Sequence, residues 1–320
     1  MKQWRADWNK FAYEVLQARL DKEQQAVLES VQFNPMTAVA SGTARGKDYV
    51  AACASMCFMY LTPTFIDGKL VGNTKIAMTA PTGRQVQNIM VPEVRRLFRN
   101  AHILPGRLVS NDIRTNYEEW YLTGFKADDK NTEAWSGFHA VNTMFVLTEA
   151  SGISEETYNA IEGNLQGNSR MLIVFNPNIT TGYAARAMKS DRFHKFRLDS
   201  LNAENVVRKK VVIPGQVDYT WVKDKVYNWC SPIREEEFDE GQGDFEFEGC
   251  MYRPNDLFRI KVRGMFPKVS EDVLIPYEWI ELANQRWLEM KSEGFVIDHM
   301  DNNSTNSNIR NLWFLSGDEN

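Results

Sequence analysis

Cysteine is scarce, with residues at 53, 57, 230 and 250 and no Cys-x-x-Cys pair, and only four histidines are spread over the 320 residues. This excludes a disulfide framework, argues against a zinc site and fits a reducing compartment. An excess of positive charge is also missing. Lys plus Arg number 37 against 42 Asp plus Glu, a net charge of −5. A polycationic nucleic-acid coat is thereby excluded, since counterion release requires many cations meeting phosphates; any contact with DNA must use local patches. Long apolar runs are lacking too. The longest uncharged stretch, Tyr49–Ile66, is interrupted by Ser55, Thr62, Pro63 and Thr64 and reads as a buried helix followed by a turn, so no membrane span is expected. The opening Met1–Asp7 has no apolar signal core, which gives no sign of export.

What is present suits a globular chain. The hydrophobic fraction is 43%, enough for one large core or two modest ones. Phe11, Val15, Leu16, Ala26 and Val27 recur at helical spacing within residues 1–30. Short apolar runs at Met36–Ala40, Ile76–Thr79, Met144–Leu147 and Met171–Phe175 alternate with helical stretches such as Gln85–Phe98. The pattern predicts an α/β fold, a mostly parallel sheet with helices on both faces. From about residue 200 the pattern loosens; Arg208-Lys209-Lys210 and the acidic run Glu235–Glu240 read as solvated surface. An amphipathic helix carrying Trp279, Leu282, Ala283 and Trp287 is expected within 269–294, and after Gly294 the composition shifts to Asn, Ser and Asp.

Ser41-Gly42-Thr43-Ala44-Arg45-Gly46-Lys47-Asp48 lies between an apolar run and a helix, where a phosphate-binding loop (a P-loop) belongs. Small residues let backbone N–H groups approach phosphate oxygens, the helix N-terminus adds positive potential, and Lys47 supplies a point charge. The match is imperfect, because Ser41 replaces the first glycine and Asp48 the usual Ser or Thr; a glycine-rich turn without chemical meaning is the alternative. A second apolar run, Met144–Leu147, leads into Thr148-Glu149, the position for a carboxylate that orients the attacking water.

Further segments give a specific resemblance. Thr148-Glu149-Ala150-Ser151-Gly152-Ile153, preceded by Gly137-Phe138-His139-Ala140, resembles the "DEASG" region of the large subunit of phage terminases. Thr79-Ala80-Pro81-Thr82 with Arg84-Gln85-Val86, then Val174–Asn178, Thr181-Gly182-Tyr183 and Ser190–Ser200, are similar to other segments of that family in the same order. The resemblance covers about residues 20–290. It implies a P-loop NTPase fold over 1–268, ATP and Mg2+ as cofactors, and ATP hydrolysis coupled to translocation of double-stranded DNA into a procapsid. Implied partners are a small subunit, a portal protein and further copies in a ring, in the cytoplasm of an infected bacterium. Residue by residue, it implies Lys47 as the phosphate lysine, Glu149 as the catalytic carboxylate and Asn176 as the coupling sensor. It makes Gln24 or Gln25 a reader of adenine and Arg45 a cis arginine near the transferring phosphate; for these three a surface role fits the sequence equally well. Arg84, Arg95, Arg96 and Arg99, on the expected helix, are candidates for DNA phosphate contacts, although solvated arginines are the commoner case.

Two departures bear on magnesium. The family has Ser or Thr where Asp48 stands and Asp where Thr148 stands. Together they form an exchange that retains one hydroxyl and one carboxylate, hard oxygen donors of the kind magnesium takes. A catalytically weak nucleotide-binding assembly subunit is the alternative.

In the family a nuclease follows the motor. The stretch after residue 290 is far shorter than the ~100 residues of a typical domain, so that nuclease is expected to be missing, with 269–294 as the linker helix toward it. The tail at 295–320 instead resembles the centre of an HNH endonuclease motif: Asp298 would hold the metal, His299 activate water and Asn311 fix the loop. The helix bearing the last ligand has no counterpart, so cleavage by this tail is not expected; an HNH-type homing endonuclease chimaera is the other function class.

Overall fold

In the computed structural model the described residues are 1–127, 135 and 138–268, together with the helix Tyr277–Ser292 and the strands Phe295–His299 and Leu312–Ser316. The chain divides into two compact units, Met1–Pro267 and Lys268–Asn320.

The first unit opens with three helices, α1 (Lys2–Ala6), α2 (Trp8–Glu14) and α3 (Lys22–Phe33). Asp21 starts α3 through a reciprocal capping box with Gln24, satisfying two backbone donors that would otherwise be orphaned. Then come β1 (Met36–Ser41), α4 (Lys47–Leu61), the hairpin β2 (Thr64–Ile66) and β3 (Lys69–Gly72), and β4 (Thr74–Ala80). The expected helix after β4 is in two pieces, α5 (Gly83–Gln85) and α6 (Val91–Asn100), joined by a π-turn over Val86–Met90. Pro92 has no N–H to offer the carbonyl four residues earlier, which accounts for a widened turn just before it.

Strands β5 (Arg107–Val109), β6 (Asp112–Arg114), β7 (Tyr121–Lys126), β8 (Asn142–Thr148), β9 (Asn168–Phe175) and β10 (His194–Leu198) complete the main sheet. Among the described residues its order is β10-β1-β9-β8-β4-β7-β6-β5. Pairing is parallel from β10 to β7 and antiparallel for β6 and β5.

The central strands are apolar almost throughout because both faces are covered. Met144 and Val146 of β8, with Leu172 and Val174 of β9, join the core beneath α4. Phe145 and Leu147, with Met171, Ile173 and Phe175, point to the opposite core, which contains Tyr158 and Ala184 from the helices Glu155–Glu162 and Gly182–Ala187. Helix α4 is buried at every residue from Val50 to Leu61, which explains the uncharged stretch without a membrane. Among the described residues no helix is long and apolar enough to cross one.

The stretch after residue 200 holds more structure than its sequence suggests. Beside the helix Tyr219–Trp229, strands β11 (Cys230–Ile233), β12 (Phe245–Phe247) and β13 (Cys250–Pro254) form an antiparallel sheet in the order β11-β13-β12 around Val222, Val226, Phe245, Phe258 and Val262. The acidic run from Glu235 to Glu240 is exposed, as expected.

In the second unit, the helix Tyr277–Ser292 exposes Leu282, Trp287 and Leu288. Strands β14 (Phe295–His299) and β15 (Leu312–Ser316) pair antiparallel, with Asp298 opposite Trp313 and His299 opposite Leu312. Asn311 and the side chains of Asp298 and His299 lie outside the described residues.

Candidate nucleotide-binding and hydrolysis site

The parallel register aligns three strand ends at one edge of the sheet. Ala40 stands opposite Phe175, and Val174 opposite Thr148, so the residues that follow, Ser41, Asn176 and Glu149, emerge side by side. This edge, at the carboxyl ends of the strands, is where open α/β sheets bind ligands.

Beyond β1 the chain makes a tight loop into α4. Gly42 N–H donates to Leu198 O at 2.9 Å and Thr43 N–H to Lys261 O at 2.6 Å, which clamps the loop against β10 and the turn Arg259–Arg263. A side chain at Gly42 would meet Val262 O at 2.5 Å, and Gly46 takes φ +79° with the Gln24 amide pressed on it. Both glycines are thus required by close approach or backbone conformation. The N–H groups of Ala44, Gly46 and Lys47 have no acceptor among the described residues and remain available to an anion at the start of α4.

Lys47 stands at the head of α4 with its side chain 12% exposed. Its Nζ lies 2.8 Å from Glu149 Oε1 and 3.2 Å from Asp48 Oδ2. Burial pulls its pKa down, but the two carboxylates outweigh burial and hold it above the ordinary lysine value. Thr148 Oγ1, fully buried at the end of β8, donates to Asp48 Oδ1. The two exchanged residues therefore touch. Glu149 has left-handed backbone, φ +48°, a conformation that costs a non-glycine residue about 1 kcal/mol or more and concentrates at functional sites. Between them Asn176 Nδ2 donates to Ser41 O at 2.7 Å, and its carbonyl accepts from Ser151 Oγ at 3.3 Å. A cavity of about 590 Å³ opens at the loop, lined by Lys47, Asp48, Tyr49, Asn88, Arg96 and Ile213–Gln216 among others.

The fold that carries these residues is also found in solved structures. The ATPase domain of the large terminase of Thermus phage P74-26 superposes with a TM-score of 0.51 at 15% identity, covering 81% of this chain and 98% of that one. A point mutant of that domain gives a TM-score of 0.51 at 17% identity over the same shares. The chain has the fold of a phage large-terminase ATPase domain. In sequence it is 23% identical over 330 aligned positions to the probable large terminase subunit of Enterobacteria phage P7, covering 99% of this chain and 60% of that protein. It thus spans less than two thirds of that relative. No protein-family model matches the chain.

Within this terminase-like fold, the structure brings Lys47, Asp48, Thr148, Glu149 and Asn176 together and gives other expected residues a different place. Arg45 is fully buried behind the loop. Its Nη1 contacts Asp21 Oδ2 at 2.5 Å, its Nη2 contacts Glu23 Oε2 at 2.7 Å and its Nε donates to Asp199 O at 2.9 Å. A guanidinium engaged on three sides is a brace, which corrects its expected place beside the transferring phosphate. Gln24 is buried, accepting from Asp21 N and donating to Arg45 O at 2.9 Å, so one end of its amide caps α3 and the other holds the loop. Gln25 is exposed, donates to Leu20 O and lines a separate hollow with Asn9 and Tyr13.

Sequence reasoning missed four residues here. Asp21 and Asp199 anchor Arg45, Arg263 pairs with Asp199 at 2.6 Å, and Gln216 donates to Asp21 at 2.8 Å. The Asp21-x-x-Gln24 spacing is a capping-box signal that could have marked a helix start; the other three carry no such local signal.

Proposed function

We propose that this chain is the ATP-hydrolysing motor portion of a viral DNA-packaging terminase, working in the cytoplasm of an infected bacterium. The observation that carries the reading is the convergence of Lys47 on Glu149 at 2.8 Å, beside a loop that lines a cavity and whose Ala44, Gly46 and Lys47 N–H groups have no acceptor among the described residues. ATP would lay its phosphates along that loop, and Lys47 would leave its carboxylate partners for the β- and γ-phosphates. Glu149, released from the lysine, would orient the attacking water. Asn176, tied to the strand that precedes the loop, would carry the loss of the γ-phosphate into movement of the sheet edge.

Magnesium fits the residues present. The Asp48 carboxylate and the Thr148 hydroxyl are hard oxygen donors already in contact. Among the described residues no three His, Cys, Asp or Glu side chains gather as a metal cluster, so the phosphates and water would complete the coordination. Asp48, 18% exposed, would hold the ion, and Thr148, buried behind it, would orient Asp48. When bound, the ion supplies positive charge to the phosphoryl group. Double-stranded DNA, a small subunit, a portal protein and further copies of the chain in a ring on the procapsid are the partners this function requires.

The test is magnesium-dependent ATP turnover by the full chain. Turnover should fall by ~10²–10⁴-fold in Glu149→Gln, the range for loss of a general base, while ATP binding persists. Nucleotide binding without any turnover in the parent chain would favour the other reading, an assembly subunit that binds without hydrolysing.

A further inference from the structure

We propose that Gln216 reads the base of the bound nucleotide, its side-chain Oε1 accepting from an exocyclic amino group such as the one at position 6 of adenine. The inference rests on the nucleotide reading above and assigns that site its base specificity.

Other glutamines near the cavity are unsuited to the task. Gln24 has both ends of its amide engaged by Asp21 and Arg45. Gln17 is exposed and donates to Asn100 O. Gln216 differs. Its Nε2 donates to Asp21 Oδ2 at 2.8 Å, and its Oε1 is buried with no donor among the described residues. The amide cannot turn over to solve this, because a flip would set Oε1 against the Asp21 carboxylate, acceptor against acceptor. Asp21 is itself held by Arg45. The acceptor's direction is therefore set by the same buried network that braces the phosphate loop.

Buried acceptors in native proteins nearly always have a partner, and this one belongs to a residue lining the cavity over the phosphate loop. Its segment is tied to the β1–α4 loop: Val217 N–H donates to Ala44 O at 2.9 Å, and Asn205 Nδ2 donates to Ile213 O and Gln216 O. The exposed tip at Pro214 and Gly215, with Gly215 at φ +83°, is the part that gives way to admit a base. An amino group at position 6 then supplies the missing donor. An oxo group there, as in guanine or hypoxanthine, presents a second acceptor, and a bare ring carbon leaves the oxygen unpaired.

The experiment is equilibrium binding of ATP, ITP and purine riboside triphosphate to the full chain and to Gln216→Met, with thermal unfolding to check that the variant folds. In the parent chain ATP should bind on the order of 10- to 100-fold more tightly than either analogue, the range for leaving one buried acceptor unpaired. In Gln216→Met the three affinities should fall within about threefold of one another through weaker ATP binding. Equal affinities in the parent chain overturn the inference even if the variant does not fold, as does a preference that survives the substitution. Failure of all three to bind the parent chain would overturn the nucleotide reading as well, which distinguishes the two failures.

Discussion

Two clusters of opposite charges meet at the loop between β1 and α4, and they differ in burial. Behind the loop Arg45 is sealed with Asp21, both below 4% side-chain exposure, and braced by Glu23 and Asp199. In front, Lys47 bridges Asp48 and Glu149, whose side chains are 18% and 28% exposed. A buried pair is fixed, because separating it strands a charge in low dielectric. A pair at a cavity mouth can exchange one partner for an incoming anion. Charge is therefore fixed as architecture on one side of the loop and open to exchange on the other, with only one residue between the two cations.

That contrast can be broken most forcefully at Arg45. Arg45→Met should destabilise the folded chain by ~3–5 kcal/mol, the cost of stranding a buried carboxylate, measured by urea unfolding. A stable variant that had lost only turnover would return Arg45 to the phosphate. Next comes the front cluster: Asp48→Ser and Thr148→Asp should each lower magnesium-dependent turnover by on the order of 10-fold or more, and the double exchange should recover most of it. Two additive losses would end the idea of an exchanged metal site. Asn176→Ala removes one hydrogen bond to Ser41 O, worth about 1 kcal/mol; ATP binding should persist while turnover falls, and unaltered turnover would remove Asn176 from the coupling role.

A smaller effect concerns pH. Lys47 has its pKa raised in the folded state above the ordinary 10.5, so its contribution to stability is fully present below that value and is lost as pH rises through the higher folded one. The unfolding free-energy difference between the parent chain and Lys47→Met should stay constant from neutral pH to near 10.5 and change only above it. An earlier change would mean that the carboxylates do not hold the lysine. The smallest expectation is at Ala44, whose φ is +52°. Ala44→Gly should be neutral or stabilising by up to about 1 kcal/mol, and a larger loss in thermal unfolding would mean that the methyl group matters to the loop.

Legibility followed how local each signal was. The strands β1, β4, β8 and β9 appear as apolar runs because burial on both faces leaves few polar positions. Lys47 and Glu149 could be singled out because each comes shortly after such a run. The small sheet of β11, β12 and β13 was hidden: its strands are three to five residues long, and β11 is half exposed, reading Cys230-Ser231-Pro232-Ile233. The π-turn before Pro92 was hidden in a different way, since periodicity alone extends the helix through it.

Gln24 and Arg45 show the limit within the site itself. The resemblance implied a reader of adenine and a cis arginine, or else surface residues; both are instead buried against Asp21, Glu23 and Asp199. By itself the sequence determined the α/β class, the position of the glycine-containing loop between β1 and α4 and the residues that bear charge, because apolar periodicity and short-range spacing act along the chain. Only the tertiary structure decided which charges are fixed and which can be displaced, that Thr148 touches Asp48 from 100 positions away, and that Gln216 closes on Asp21 across 195. Burial and pairing of this kind come from parallel strands laid side by side, and nothing in local sequence encodes which distant residue will supply the partner.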